Sequence, residues 1–498
     1  MAILADSPVE RLPEELLLHI LSYLENDPPS QTNLREEPSL ELFRSHQQPL
    51  KHVSTVSKQW RRLGLPLLFK HARLRLDGPL QQAWGDCACG GKSMTRRLAG
   101  LQTSCDDRRA EQFHLDLVED AVNYLQNVDT HTTSHDRQTA SDAPTARHIF
   151  FAWAPSFYHT VDDFLAFVKH NDLATKVESF VLMTGNMLSG KLDRFPHRAA
   201  GAERDWRYRC AAALWPHLLA VLDLQRIVVL APPTDLACLT NSAIDTFGDW
   251  AFGDMAFHIL DLRLDVNAPS TSPLLGRTVD YATLDHTPRR YPGIAGSSIL
   301  NLRPWHHITI NEGAFLKAYG TYEYFERGPP SLIYSIKDCL TPRSTYSASV
   351  QRLSRAPLAS LRRLTYIGIF PFANHLDFRE LLPQLEELDL QLAPTSSPHG
   401  RSILNDPSRV GKAELQDCWS ELITIYQTLA NQLATFRITE GNMPRLRRLL
   451  CRDMERQTLH VELDDVFIGL CLPAWAEMED GVFVRLQMSA ESDTLLEG

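Results

Sequence analysis

The segment LRRLTYIGIF that begins at Leu361 is echoed by LEELDLQLAP beginning at Leu385, 24 residues later. Leu361, Leu364 and Ile367 fall on Leu385, Leu388 and Gln391, or Leu390 with a one-residue offset. A unit of that length holds one strand and its return, and it is too short to bury its own apolar face. Such units must stack, which confines this part of the chain to neighbours lined up along one sheet. MPRLRRLLCRDM at 443–454 opens in the same way.

Upstream the same alternation is looser. Candidate strands are KHARLRL at 70–76, VESFVLM at 177–183, LQRIVVL at 224–230, HILDLRL at 258–264 and HHITI at 306–310. LRRLTYI at 361–367, LEELDLQL at 385–392 and LATFRIT at 433–439 complete the set. Between some of them lie amphipathic helices. VDDFLAFVKHN at 161–171 gathers Val161, Phe164, Leu165 and Val168 on one face, and 414–433 does so with Leu422, Ile425, Tyr426 and Leu429. Strand and helix in alternation give either an open parallel sheet or a solenoid. The 24-residue period decides for an irregular α/β solenoid expanded by polar loops at 266–296 and 393–411.

The N-terminus has a different character. LPEELLLHILSYL at 12–24 reads as a helix: Pro13 suits its first position, and Glu14 and Glu15 face the positive end of the macrodipole. Leu17, Ile20, Leu21 and Leu24 follow the helical period, and Leu16 and Tyr23 widen the stripe beyond what one short neighbour covers. A second helix starts at Pro49, aligns Leu50, Val53, Val56, Trp60 and Leu63, and is closed by Gly64 and Pro66. The stretch between them, about 25–49, combines Pro28, Pro29 and Pro38 with mixed charge, and 27–47 is expected to be loosely held apart from a short helix at Leu40–Phe43.

Bulk properties narrow the function. A length of 498 residues exceeds one compact core. The net charge of -11 argues against nucleic acid as a partner. No apolar run is long enough to span a bilayer, and the first residues lack the basic start of a secretion signal. Nine cysteines without regular spacing do not form a disulfide framework, so a cytoplasmic or nuclear location is expected.

LPEELLLHILSYL followed by LKHVSTVSKQWRRL resembles the F-box, whose usual form is Leu-Pro-x-Glu-Leu, Ile-Leu-x-x-Leu and then Val-Ser-Lys-x-Trp. The match covers 8–69, and the remainder looks like the irregular leucine-rich-repeat region of fungal F-box proteins. The domain plan is an F-box at 8–69, a connecting region at 70–147 with a linker at 127–147, a repeat region at 148–487 and a tail at 488–498. The resemblance implies a non-catalytic substrate receptor of a Skp–cullin–F-box ubiquitin ligase, without cofactor or metal. Leu12, Pro13, Leu16, Ile20, Leu21 and Leu24 would then meet a Skp-type adaptor and through it a cullin. Val53, Val56 and Trp60 would join that contact or the module's own core, and the repeats would hold a protein substrate. The alternative is an F-box scaffold working outside a ligase. The insertion at 25–49 departs from the short turn usual in F-boxes.

Other motifs are weak. GNMLSGKL at 185–192 resembles a phosphate-binding loop, but Leu192 replaces the magnesium-binding Ser/Thr and Pro196 breaks the required helix. Cys87, Cys89, Cys105 and His114 lack the spacing of a zinc site, and His306 and His307 point to opposite faces of a strand. His460-Val-Glu462 has no Pro-Cys-x-x-Cys after it. Arg445, Arg447, Arg448, Arg452 and Arg456, broken by Asp453 and Glu455, form a solvated face or a docking patch for an acidic substrate or phosphopeptide, with Arg445, Arg447 and Arg448 as its core.

Overall fold

The computed structural model describes residues 8–44, 47–76, 160–184, 211–242, 257–265, 274–277, 298–312, 331–340, 358–368, 378–379, 381–393, 415–435, 445–455, 457–471 and 475–486. The proposed linker at 127–147, the loop motif at 185–192, the Cys87–His114 group and the tail lie outside them, as does nearly all of both polar loops.

The N-terminus is helical. Helix α1 runs Glu14–Ser22, with Pro13 one position earlier than expected, as the residue that caps it. The second helix of the sequence reading is two helices, α2 (Gln48–Val53) and α3 (Lys58–Phe69). Ser57 divides them because its Oγ accepts the Trp60 backbone N–H, satisfying one of the orphan donors of a helix start. Pro66 does not end α3, which continues to Phe69. Leu17, Leu21, Leu50 and Leu63 form a small core, and Leu24, Val53, Trp60, Leu67 and Leu68 pack around it. On its other side α3 sends Leu65 and Phe69 into the main core, where Phe69 meets Phe167 at 5.0 Å. One helix thus belongs to two cores.

The other described residues form a mixed α/β region built on a ten-stranded sheet, ordered β1-β2-β3-β4-β5-β6-β7-β8-β10-β9. The strands are β1 (His71–Arg75), β2 (Ser179–Met183), β3 (Arg226–Ala231), β4 (His258–Arg263) and β5 (His307–Asn311). They continue with β6 (Arg363–Ile367), β7 (Glu387–Gln391), β8 (Arg448–Cys451), β9 (Trp475–Glu479) and β10 (Val482–Arg485). Strand β1, inside the presumed connecting region, is the edge partner of β2. The 24-residue echo is the register itself, since Leu364 pairs with Leu388 and Ile367 with Gln391.

One strand expectation fails. LATFRIT is not a strand over its described part: residues 433–435 end the helix Leu415–Thr435, whose apolar positions keep a helical period to Leu433. The sheet is mixed, because β4 runs antiparallel to both β3 and β5. The hairpin β9–β10 was not anticipated. Its turn, Asp480-Gly481, requires glycine: φ is +73° at Gly481, and a Cβ there would lie 2.3 Å from the Cys451 carbonyl oxygen.

Side chains alternate across the sheet. Phe180, Leu182, Ile227, Val229, Leu260, Leu262, Ile308, Ile310, Leu364, Tyr366, Leu388 and Leu390 face the helices in one continuous core. The other face is covered over part of its area by residues 25–44, which therefore are not loosely held. Leu34 and Leu42 pack on Val181, Met183, Val228, Leu230 and Ile259. Polar side chains of the sheet grip the backbone of this strap. Asn311 Nδ2 donates to the carbonyls of Leu34 and Glu36, each at 2.7 Å, and Gln391 Nε2 donates to that of Arg35. Arg226 donates to the Ser30 carbonyl and Arg73 to that of Phe43. Arg35 forms an ion pair with Asp389.

Candidate functional site

Helix α1 is nine residues long and buries only Leu17 and Leu21. Leu16 is 50% exposed, Ile20 44% and Tyr23 76%, on a helix whose core-facing neighbours are fully enclosed. Val9 and Leu12 are exposed just before the helix, Leu18 is exposed on its other side, and Val56, at 68%, is exposed just after α2. Isolated exposed leucines need no explanation, but a contiguous patch on one short helix marks a docking surface.

The residues expected to meet an adaptor therefore divide. Leu12, Pro13, Leu16, Ile20 and Val56 are exposed. Leu21 is fully buried against Leu17, Leu50 and Leu63, so its work is to hold the module together. Leu24, Val53 and Trp60 are half-buried around that core. Tyr23 shares the face of Leu16 and Ile20, and Val9 is exposed just before the helix, although neither was assigned from the sequence. The available signal was that two helical turns cannot bury seven apolar residues on every side.

A second surface lies on the strap face of the sheet, where Arg363 and Arg448 are exposed and Arg263 is half-buried. Cross-strand pairing there aligns Arg226, Arg263, His307, Arg363, Glu387 and Arg448 in one row. Asp261 sits one step further in and is wholly buried. Burial alone would raise its carboxyl, but the guanidiniums of Arg226 at 2.7 Å and Arg263 at 2.7 Å outweigh that and hold it below its ordinary value. Burial pushes His307 down to about 4, so it is neutral near pH 7, with Nε2 3.0 Å from the Thr365 hydroxyl. Of the three arginines expected to bind substrate, Arg448 opens β8 on this face, while Arg445 and Arg447 are exposed just before it.

A third group is enclosed. Glu312 accepts from Ser331 Oγ at 2.7 Å, the Leu332 N–H at 3.0 Å and Tyr366 OH at 3.0 Å, with His258 Nδ1 at 3.6 Å. Burial raises Glu312 to about 7 despite those donors and lowers His258 to about 3, so the two do not form an ion pair near neutrality. All four side chains are buried, which makes this a structural network of the helix side. Among the described residues no group of three or more His, Cys, Asp or Glu side chains is placed to hold a metal, and no helix is long and apolar enough to cross a membrane.

The F-box-like family model matches residues 9–75, which include the three helices, the strap and β1. The N-terminal module is an F-box-like domain. No curated protein and no solved structure matches the chain.

Proposed function

We propose that this protein is the substrate-recognition subunit of a Skp–cullin–F-box ubiquitin ligase. The observation that carries the reading is the apolar surface Leu12, Leu16, Ile20 and Tyr23 held outward over a closed core of Leu17 and Leu21. A Skp-type adaptor covering that patch would link the chain to a cullin. The mixed α/β region is then the substrate-holding part, an irregular solenoid of the leucine-rich-repeat kind. Eight strands in chain order with the main core on one face support that description, and the reversed β4 is its irregularity.

The mechanism is proximity: substrate and ligase are tied to one body, and the raised effective concentration drives ubiquitin transfer. No catalytic residue of this chain is involved. The strap fits this role, because it bonds the adaptor-binding module to the sheet at Asp389, Asn311, Arg226 and Arg73 and so fixes the relative placement of the two ends.

Affinity capture from cells, with and without proteasome inhibition, tests the reading. Captured partners should include a Skp-type adaptor, a cullin and at least one protein that accumulates when the proteasome is blocked. Capture of the adaptor without a cullin, and with no partner responding to inhibition, would instead establish a scaffold outside the ligase.

A further inference from the structure

Arg263, Arg363 and Arg448 stand on alternate strands of the strap face, two strands apart in each step. Strands lie about 4.8 Å apart, so the steps are about 9.6 Å each. Neutral His307 separates Arg263 from Arg363, and Glu387 separates Arg363 from Arg448. Arg263 has Asp261 as partner and Arg448 has Glu387 at 3.4 Å, whereas no ion pair among the described residues includes the exposed Arg363. In a chain whose formal net charge is -11, Arg363 and Arg448 are exposed and Arg263 is half-buried.

We propose that the row binds an acidic peptide segment of a partner protein, with carboxylates three residues apart. A chain in the polyproline II conformation repeats every three residues over about 9.3 Å and presents positions i, i+3 and i+6 on one side. That spacing matches the arginine row; Arg363 takes a carboxylate through paired N–H donors, while Arg263, whose Nε and Nη2 hold Asp261, offers its remaining N–H groups. Arg363 is the central anchor. The assignment deepens the substrate-receptor reading and rests on it for its biological role, but the binding itself is separately measurable.

The test uses the full chain and a fluorescein-labelled peptide of three Glu-Pro-Pro repeats, read by fluorescence anisotropy. Wild type should bind it, bind the matching Gln-Pro-Pro peptide at least about tenfold more weakly, and lose affinity as salt rises. Arg363→Glu should weaken binding at least about tenfold, with adaptor capture unchanged. Both Arg363 and Arg448 stand opposite Glu387, so Arg363→Gln and Arg448→Gln, which place no like charge there, separate lost binding from lost stability and should each bind more weakly than wild type. Equal binding of the two peptides, wild-type affinity in Arg363→Glu, or binding confined to a phosphoserine version would overturn the site. Binding of the acidic peptide by a chain that captures no adaptor would support the site and overturn only the ligase role.

Discussion

Glu312 is a carboxyl enclosed at the end of β5, and the penalty for ionising it there is a stability term. Its folded value near 7 lies above the ordinary 4.5, so the folded state binds the proton more tightly than the unfolded chain does. The resulting stabilisation is complete below about 4.5 and is lost as pH rises through about 7, a change of about 3 kcal/mol. Glu312→Gln has no proton to lose. Buried His258 and His307, held neutral in the fold, add stability over the same range and oppose Glu312. Relative to wild type at the same pH, the variant should therefore gain unfolding temperature as pH rises from 5 to 8, measured by differential scanning fluorimetry at fixed ionic strength, and a difference that does not change with pH would show that Glu312 does not carry this dependence. The sequence offered little warning of this residue, because a Glu directly after the strand HITIN reads as a solvated loop position. Only the arrival of Ser331 and Tyr366 from distant segments encloses it.

Among the elements, the strap departs most from its sequence. Residues 25–44 contribute few apolar side chains to the sheet, chiefly Leu34 and Leu42, and the remaining attachment runs through backbone carbonyls. A carbonyl is the same for every residue, so the sequence of the strap carries no pattern that announces its docking. The complementary signal sits on the strands: Arg73, Arg226, Asn311 and Gln391 occupy alternate positions that read as facing water but instead grip the strap. By contrast, the β6–β7 register was legible from the 24-residue echo, since leucines that repeat in sequence also pair in space. Leu42→Ala should cost about 2–5 kcal/mol, as expected for a fully buried leucine, measured by urea denaturation. Excising 27–44 should lower the unfolding temperature further by exposing Val181, Met183, Val228, Leu230 and Ile259. An excised chain as stable as wild type would show that the strap is dispensable for the sheet.

At the scale of the whole molecule, helix α3 and the strap join an F-box-like domain to a ten-stranded sheet at two places. Helix α3 does so through shared packing, with Leu63 in the small core and Leu65 in the large one. The strap does so through hydrogen bonds and the Arg35–Asp389 ion pair. The outcome is a body with an apolar adaptor patch on one module and an arginine row on the other. Everything in the proposed role depends on the first of these being a docking surface. Isothermal titration of the purified chain with a Skp-type adaptor tests that directly, using a double variant, Leu16→Glu with Ile20→Glu, whose altered side chains point away from the core. Wild type should form a one-to-one complex, the double variant should show no detectable binding, and both should unfold at the same temperature. Wild-type affinity in the double variant, or no complex with the unaltered chain, would contradict the proposed role.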